Sequence, residues 1–321
     1  MIRRRSVLMA FGLLVTISLA SPASAQKKLA PGADLRGADL QGADLSGAQL
    51  AGANLTGANL SGANLNGSDL REAYLRDVNA VGADFTDAKM GNADLTRADL
   101  TEAVFRNADL TLATLDVARV AKAYFANALM AGVHMTKARG TGANFHRAVL
   151  SAANLSQSVF VEANFAEANL GGRGQGHPGP NGAILRGTDF SGADLSKTNL
   201  VNAKLNQAIL RNTDLRGAKM GFADLSWSRA DGANFADADM GWVRAYAAGM
   251  KGARFRGANV PLAQFSGADL SGADFSKAHF QRTDFTQSNL DGAVFDDIDL
   301  EEVYLRAARN VPAKLMGRKG K

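Results

Sequence analysis

Residues 33–62 read ADLRGADLQGADLSGAQLAGANLTGANLSG, six consecutive copies of one five-residue unit, A-(D/N/Q)-L-x-G. The unit runs far beyond this stretch. From Leu35 to Leu170, and again from Leu185 to Leu305, every fifth residue is a central position, 28 in the first run and 25 in the second. Of these 53 positions 47 are Leu, Phe or Met, and the residue two before is almost always Ala. A period of five matches neither the 3.6 of a helix nor the 2.0 of a plain strand, so the chain reads as a repeat architecture.

Alternation explains how such a unit makes a core. In a β-type segment Ala at the first position and Leu or Phe at the third point inward, while the Asp or Asn between them points out. The Ser-, Thr-, Arg- and Gly-rich fourth and fifth positions turn a corner, and four units make a square coil of 20 residues. The sequence itself tests that spacing. Every twentieth residue gives Phe85, Phe105, Phe125, Phe145 and Phe165, an aromatic column that a period of five alone does not require. Rings stacked between coils about 4.8 Å apart favour burial and offset contact. The outward positions agree: Asp34 falls over Asn54, Asp39 over Asn59, Asp44 over Asn64 and Asp69 over Lys89, which avoids like charges on neighbouring strands. The second run has one exception, Asp194 over Asp214.

These repeats resemble the pentapeptide-repeat family across nearly all of residues 26–305. The resemblance implies an all-β fold, a right-handed quadrilateral parallel β-helix of about 13 coils. Small central residues at Ala80, Val120, Gly140, Ala230, Ala245 and Val260 mark places where the core is expected to be thin.

Residues 171–180, GGRGQGHPGP, lack the repeat and are dense in Gly and Pro, so they read as a loop between runs 31–170 and 181–305. In the second run the Phe column is Phe235, Phe255, Phe275 and Phe295, displaced by ten from the first. Omitting the ten loop residues brings both columns onto one face. The expectation is a loop extruded from the β-helix without forming a wall; the alternatives are a loop that replaces two walls or separates two helices.

Residues 1–25 read as an export signal: basic Arg3, Arg4 and Arg5, a mainly apolar run from Val7 to Ala20, and the small-residue site Ala23-Ser24-Ala25. Cleavage would leave Gln26 first. Arg4-Arg5-Ser6-Val7-Leu8 also resembles a twin-arginine signal, and the choice of route stays open. The expected location is periplasmic or extracellular, with no transmembrane span after signal removal. The chain has no cysteine, hence no disulfide. Without Arg3, Arg4 and Arg5, 33 basic side chains face 31 acidic ones, a net of +2. Residues 29–305 carry a net of −6, and the positive excess lies at Lys27, Lys28 and the basic segment 306–321. That last segment is expected to cap the β-helix with a short helix through Val311, Leu315 and Met316, or to form a basic tail. Arg318, Lys319 and Lys321 offer weak contact with an anionic surface.

No motif carries catalytic chemistry. The four histidines, His134, His146, His177 and His279, are far apart in sequence, and there is no G-x-S-x-G, no H-E-x-x-H and no nucleophilic cysteine. The glycine-rich nonapeptide of calcium-binding β-helices is absent. No catalytic residue, cofactor or metal site is assigned. Phe222, Trp242 and Leu262 occupy the fifth position of their units at intervals of 20, a place otherwise held mainly by Gly and polar residues. They form an exposed stripe at one corner, with Trp227 and Tyr246 one corner away. Such patches mark partner contacts, although the rings would alternatively cover the thin core near Ala230 and Ala245.

The reading is a non-enzymatic, exported binding or scaffolding protein that works through a rod-like β-helix surface, with a protein partner or self-association. The alternatives are an envelope enzyme acting on polysaccharide and a purely structural envelope component. The resemblance also brings in fluoroquinolone-resistance proteins that imitate DNA and bind topoisomerase. The export signal and balanced charge speak against that role, and no nucleic acid is expected.

Overall fold

The computed structural model describes residues 6–10, 13–17, 29–172 and 181–316. Strands β1 (Ser6–Ala10) and β2 (Leu13–Ile17) pair antiparallel, from Ser6 with Ile17 to Ala10 with Leu13. The cleavage site, the rest of the export segment, His177 within 173–180, and the basic tail 317–321 lie outside the described residues.

The chain forms two compact units, residues 1–149 and 150–321. In the first, parallel bridges join positions 20 apart, as Asp34 to Asn54 to Tyr74 to Asp94 to Thr114 to His134, which makes six coils with four walls each. Three backbone bonds recur per unit and carry the ladder. Asn54 N–H donates to Ala33 O at 2.8 Å, Leu35 N–H to Asn54 O at 2.7 Å, and Gly32 N–H to Ala51 O at 2.8 Å. The inward Ala and Leu are almost completely buried, Leu50, Ala53 and Leu55 at 0% exposure. Phe85, Phe105, Phe125 and Phe145 stack with centroids 4.7, 4.7 and 4.8 Å apart and planes within 7°. That spacing equals the rise between strands, so backbone and rings share one period.

Most corners are β-turns in which the central carbonyl accepts from the N–H three residues on, as Ala53 N to Leu50 O at 3.0 Å. The second turn residue has positive φ, from 72° at Gly32 to 51° at Ala247. A type II turn needs this left-handed conformation, which explains the fifth-position Gly. Many corners nevertheless carry a side chain, including β-branched Val117 at φ 62° and Leu112 at φ 59°. Leu112 lies over Gly132, where an added Cβ would sit 2.7 Å from its Cδ2.

The outward Asp and Asn do more than face water. Their side chains accept the N–H two residues on, as Thr56 N to Asn54 Oδ1 at 3.1 Å, which fixes the entry to the corner. Asn amides also bridge coils, Asn59 Nδ2 donating to Asp39 Oδ1 at 3.0 Å and Asn64 to Asp44 at 3.1 Å. Asp69, almost buried, takes a bidentate Arg71 at 2.8 and 2.6 Å, and those bonds hold its carboxyl below the usual carboxylate range.

The second unit repeats this plan for seven coils and part of an eighth. At the loop the bridges join positions 30 apart: Asn154 to Ile184, Val159 to Asp189, Asn164 to Asp194, Asn169 to Asn199. Elsewhere the step is 20, so the described walls on either side of the ten extra residues pair as consecutive coils. Ala183 N–H donates to Leu170 O at 2.7 Å, the same bond that closes an ordinary corner. The ladder through Asn164, Asp194, Asp214 and Asn234 puts Phe165, the last ring of the first column, on the wall of Phe235, Phe255 and Phe275. Gly171 and Gly182 permit the passage. A Cβ at Gly171 would strike the Asn199 amide at 2.3 Å, and one at Gly182 the Asn202 carbonyl carbon at 2.4 Å.

Where Thr replaces the inward Ala, the hydroxyl finds a carbonyl: Thr188 reaches Leu155 O at 2.6 Å and Thr213 reaches Phe190 O at 2.7 Å, whereas the buried hydroxyls of Ser68 and Ser228 at the same position have no partner. The last coils pair β3 (His279–Phe280) with β5 (Asp299–Leu300), and β4 (Thr283–Asp284) with β6 (Val303–Tyr304), both parallel. Helix α1 (Ala313–Met316) buries Leu315 completely, beside a cleft of about 230 Å³ lined by Phe295, Asp297, Ile298, Leu300 and Lys314. Met316, expected to share the covering role, is 55% exposed instead, because one turn of helix presents a single residue inward.

Candidate interaction surface

The stripe residues sit at the left-handed corner position: Phe222 at φ 60°, Trp227 at 56°, Trp242 at 60° and Leu262 at 56°. Bulky side chains avoid this conformation at a cost of about 1–2 kcal/mol each. Gly would relieve it, and Gly fills the equivalent place at Gly232, Gly252, Gly272 and Gly292 on another corner of the same unit.

Phe222, Trp242 and Leu262 share one corner because the ladder continues through their backbone: Phe222 N to Gly241 O at 2.9 Å, Trp242 N to Pro261 O at 2.9 Å, Leu262 N to Gln281 O at 2.7 Å. The Phe222 and Trp242 rings stack at 5.8 Å and 14°. Gly241, buried, leaves room for Pro261, whose Cγ lies 3.4 Å from where a Cβ would be. At the next corner Trp227 meets Tyr246 edge to face at 5.2 Å and 82°, and Trp227 N–H donates to Tyr246 O at 2.8 Å. Trp227, Trp242 and Tyr246 are 56%, 49% and 48% exposed, while Phe222 and Leu262 are half-buried.

The two corners bound one wall. Its outward residues run Lys204, Asp224, Arg244, Gln264 and Asp284 up successive coils. Arg244 Nη2 donates to Asp224 Oδ2 at 3.5 Å. The structure therefore gathers four of the five expected residues into two ring pairs, places Leu262 beside the first, and makes the pairs opposite rims of one charged floor. Sequence reasoning passed over Asp224 and Arg244. Their signal was available, since each stands two residues after a ring of the stripe.

The wall facing Asp194 and Asp214 answers the charge exception. Arg216 grips Asp214 with Nε at 2.9 Å and Nη2 at 2.6 Å. Burial pushes the Asp214 carboxyl up, but the Arg216 guanidinium and backbone N–H outweigh it and hold the group below its ordinary range. His279 Nδ1 lies 2.7 Å from Asp299 Oδ2 across the last coils.

The pentapeptide-repeat model matches in 8 copies over segments running from 30–57 to 143–172 and from 181–212 to 268–306. No curated protein matches the chain. Among solved structures, HetL, a pentapeptide-repeat protein involved in heterocyst differentiation regulation in the cyanobacterium Nostoc, is 24% identical, with 90% of this chain and 96% of that one covered and a TM-score of 0.28. A plasmid-mediated fluoroquinolone-resistance protein is 22% identical over 59% of this chain and 87% of its own, with a TM-score of 0.29. A pentapeptide-repeat protein of the Arabidopsis thaliana thylakoid lumen is 31% identical over 34% and 66%, with a TM-score of 0.20. The repeat match extends over most of the chain, and the four-walled coils are what that repeat builds: this chain belongs to the pentapeptide-repeat family, with its right-handed quadrilateral β-helix.

Proposed function

We propose that this chain is an exported, non-enzymatic binding or scaffolding protein whose working surface is the wall between the Phe222–Trp242 and Trp227–Tyr246 rims. The observation that carries the reading is the placement of large rings, about half-exposed, in left-handed corners where Gly is the unstrained residue. A residue retained against backbone strain and left in water gives the fold little. Trp, Tyr and Arg are also the side chains that dominate binding energy at protein interfaces, and this wall has all three. The basic, apolar and small-residue order of residues 1–25 supports export to the periplasm or beyond.

The test captures companions from an envelope extract with the wild-type protein and with a Phe222→Ala, Trp242→Ala, Leu262→Ala variant whose folding is verified by circular dichroism. The expected result is a specific companion, this chain included, retained by the first and lost by the second. Identical captures, with only a lower melting temperature in the variant, would assign the rings to covering the core and overturn the proposal. N-terminal sequencing of the exported protein is expected to begin at Gln26.

A further inference from the structure

Resting on the reading of this wall as a binding surface, we propose that its occupant is a second copy of the same chain, packed wall to wall and antiparallel. The argument is one of self-complementarity. A two-fold axis lying in the wall, perpendicular to the winding direction and level with the midpoint between Asp224 and Arg244, reverses the order of coils but keeps each rim on its own side. Asp224 then faces the partner's Arg244, and Arg244 faces the partner's Asp224. On one rim Phe222 meets the partner's Trp242 and the reverse. On the other, Trp227 meets the level of the partner's Tyr246 and Ala247, where the small side chain leaves space for an indole.

Three independent rows, two aromatic and one charged, are thus satisfied by a single operation. The parallel arrangement fails the same test, because it sets Asp224 against Asp224 and Arg244 against Arg244, and like charges across an interface are costly. The intramolecular Asp224–Arg244 pair at 3.5 Å is loose enough for each group to serve a second partner. The matched rows cover only neighbouring coils, whereas a standard interface buries roughly 800 Å² per partner. The dimer is accordingly weak and concentration-dependent.

Sedimentation velocity of the full chain, from about 1 to 500 µM, reads this directly. Wild-type protein is expected to pass from monomer to dimer within that range, and Trp242→Ala to weaken the dimer at least tenfold. Asp224→Arg and Arg244→Asp are each expected to remain monomeric, since each makes the floor uniform in sign. Mixed in equal amounts they are expected to form a heterodimer, because the two-fold axis then sets a floor of two arginines against a floor of two aspartates.

A wild-type monomer at every concentration, or single variants that dimerise as wild type does, or a mixture without heterodimer from two folded variants, would overturn the inference. If the wild type stays monomeric while the capture above still depends on the rings, the wall binds a different protein and the functional proposal stands. If both experiments are negative, the functional proposal falls as well.

Discussion

Replacing Phe105 by Ala tests whether the stacked column holds the coils together. Phe105 is completely buried, with Phe85 below and Phe125 above at 4.7 Å each and planes tilted by 3° and 7°. Removing a buried ring costs about 3–5 kcal/mol, and the upper end applies where the surroundings cannot close the cavity. Here they cannot. The neighbouring rings belong to coils whose spacing is set by backbone bonds such as Phe85 N to Val104 O and Phe105 N to Tyr124 O, both 2.7 Å. Each ring would have to shorten a ladder already at hydrogen-bond distance. The loss expected for Phe105→Ala is therefore about 5 kcal/mol, a large part of the roughly 5–15 kcal/mol that stabilises a typical folded protein. Phe105→Leu installs the commonest central residue of the repeat, whose volume fits the wall, and is expected to cost only about 1–1.5 kcal/mol. Urea unfolding followed by circular dichroism measures both. An Ala variant that loses less than about 2 kcal/mol, or a Leu variant as damaged as the Ala one, would refute a column held by stacking on a rigid ladder.

Three further outcomes follow from the corners, the loop and the charges. Val117→Gly removes a β-branched, half-exposed side chain from φ 62° and is expected to raise stability by about 0.5–1 kcal/mol, the relief of strain exceeding the added freedom of the unfolded chain; a lower melting temperature would contradict this. Deleting residues 171–180 leaves Asn181 and Gly182 as an ordinary two-residue corner between Leu170 and Ala183, so the fold should persist with stability unchanged or raised by up to about 1.5 kcal/mol, and an unfolded product would show that the segment is part of the wall. The native Asp214 carboxyl is held below its unfolded value, so its contribution is present above the ordinary carboxylate range near 3.9 and is lost as pH falls through the lower native value. Arg216→Gln removes the cation that holds the Asp214 carboxyl down, and its deficit in melting temperature is expected to be largest at pH 7 and to shrink as Asp214 takes up a proton at acid pH; a deficit independent of pH would mean that Arg216 acts by packing.

Much of the fold was legible because the repeat is its own alignment. The central Leu and Phe mark the inside, and the Phe column at intervals of 20 gives the number of walls. The offset of ten between columns predicts that the walls before and after the loop pair directly, as Asn154 does with Ile184 and Asn169 with Asn199. What escaped was chemistry hidden in positions that looked merely polar. The pairing of outward Asp and Asn at intervals of 20 is legible as avoidance of like charges, but not that they also cap the corners and bridge the coils through their side-chain oxygens and amides. Met316 was read as part of a cap, yet a four-residue helix turns Leu315 inward and leaves Met316 in water.

The sequence by itself determined the coil, because a hydrophobic residue every five positions can be buried only if the chain turns after every unit. Only the tertiary structure decided which outward side chains become neighbours. Phe222 and Trp242 lie 20 residues apart and Trp227 and Tyr246 lie 19 apart, and each pair meets because coils stack one strand spacing above another. Likewise the left-handed corner is a property of the backbone: Gly hints at it, but a Trp there carries strain that appears only when φ is known.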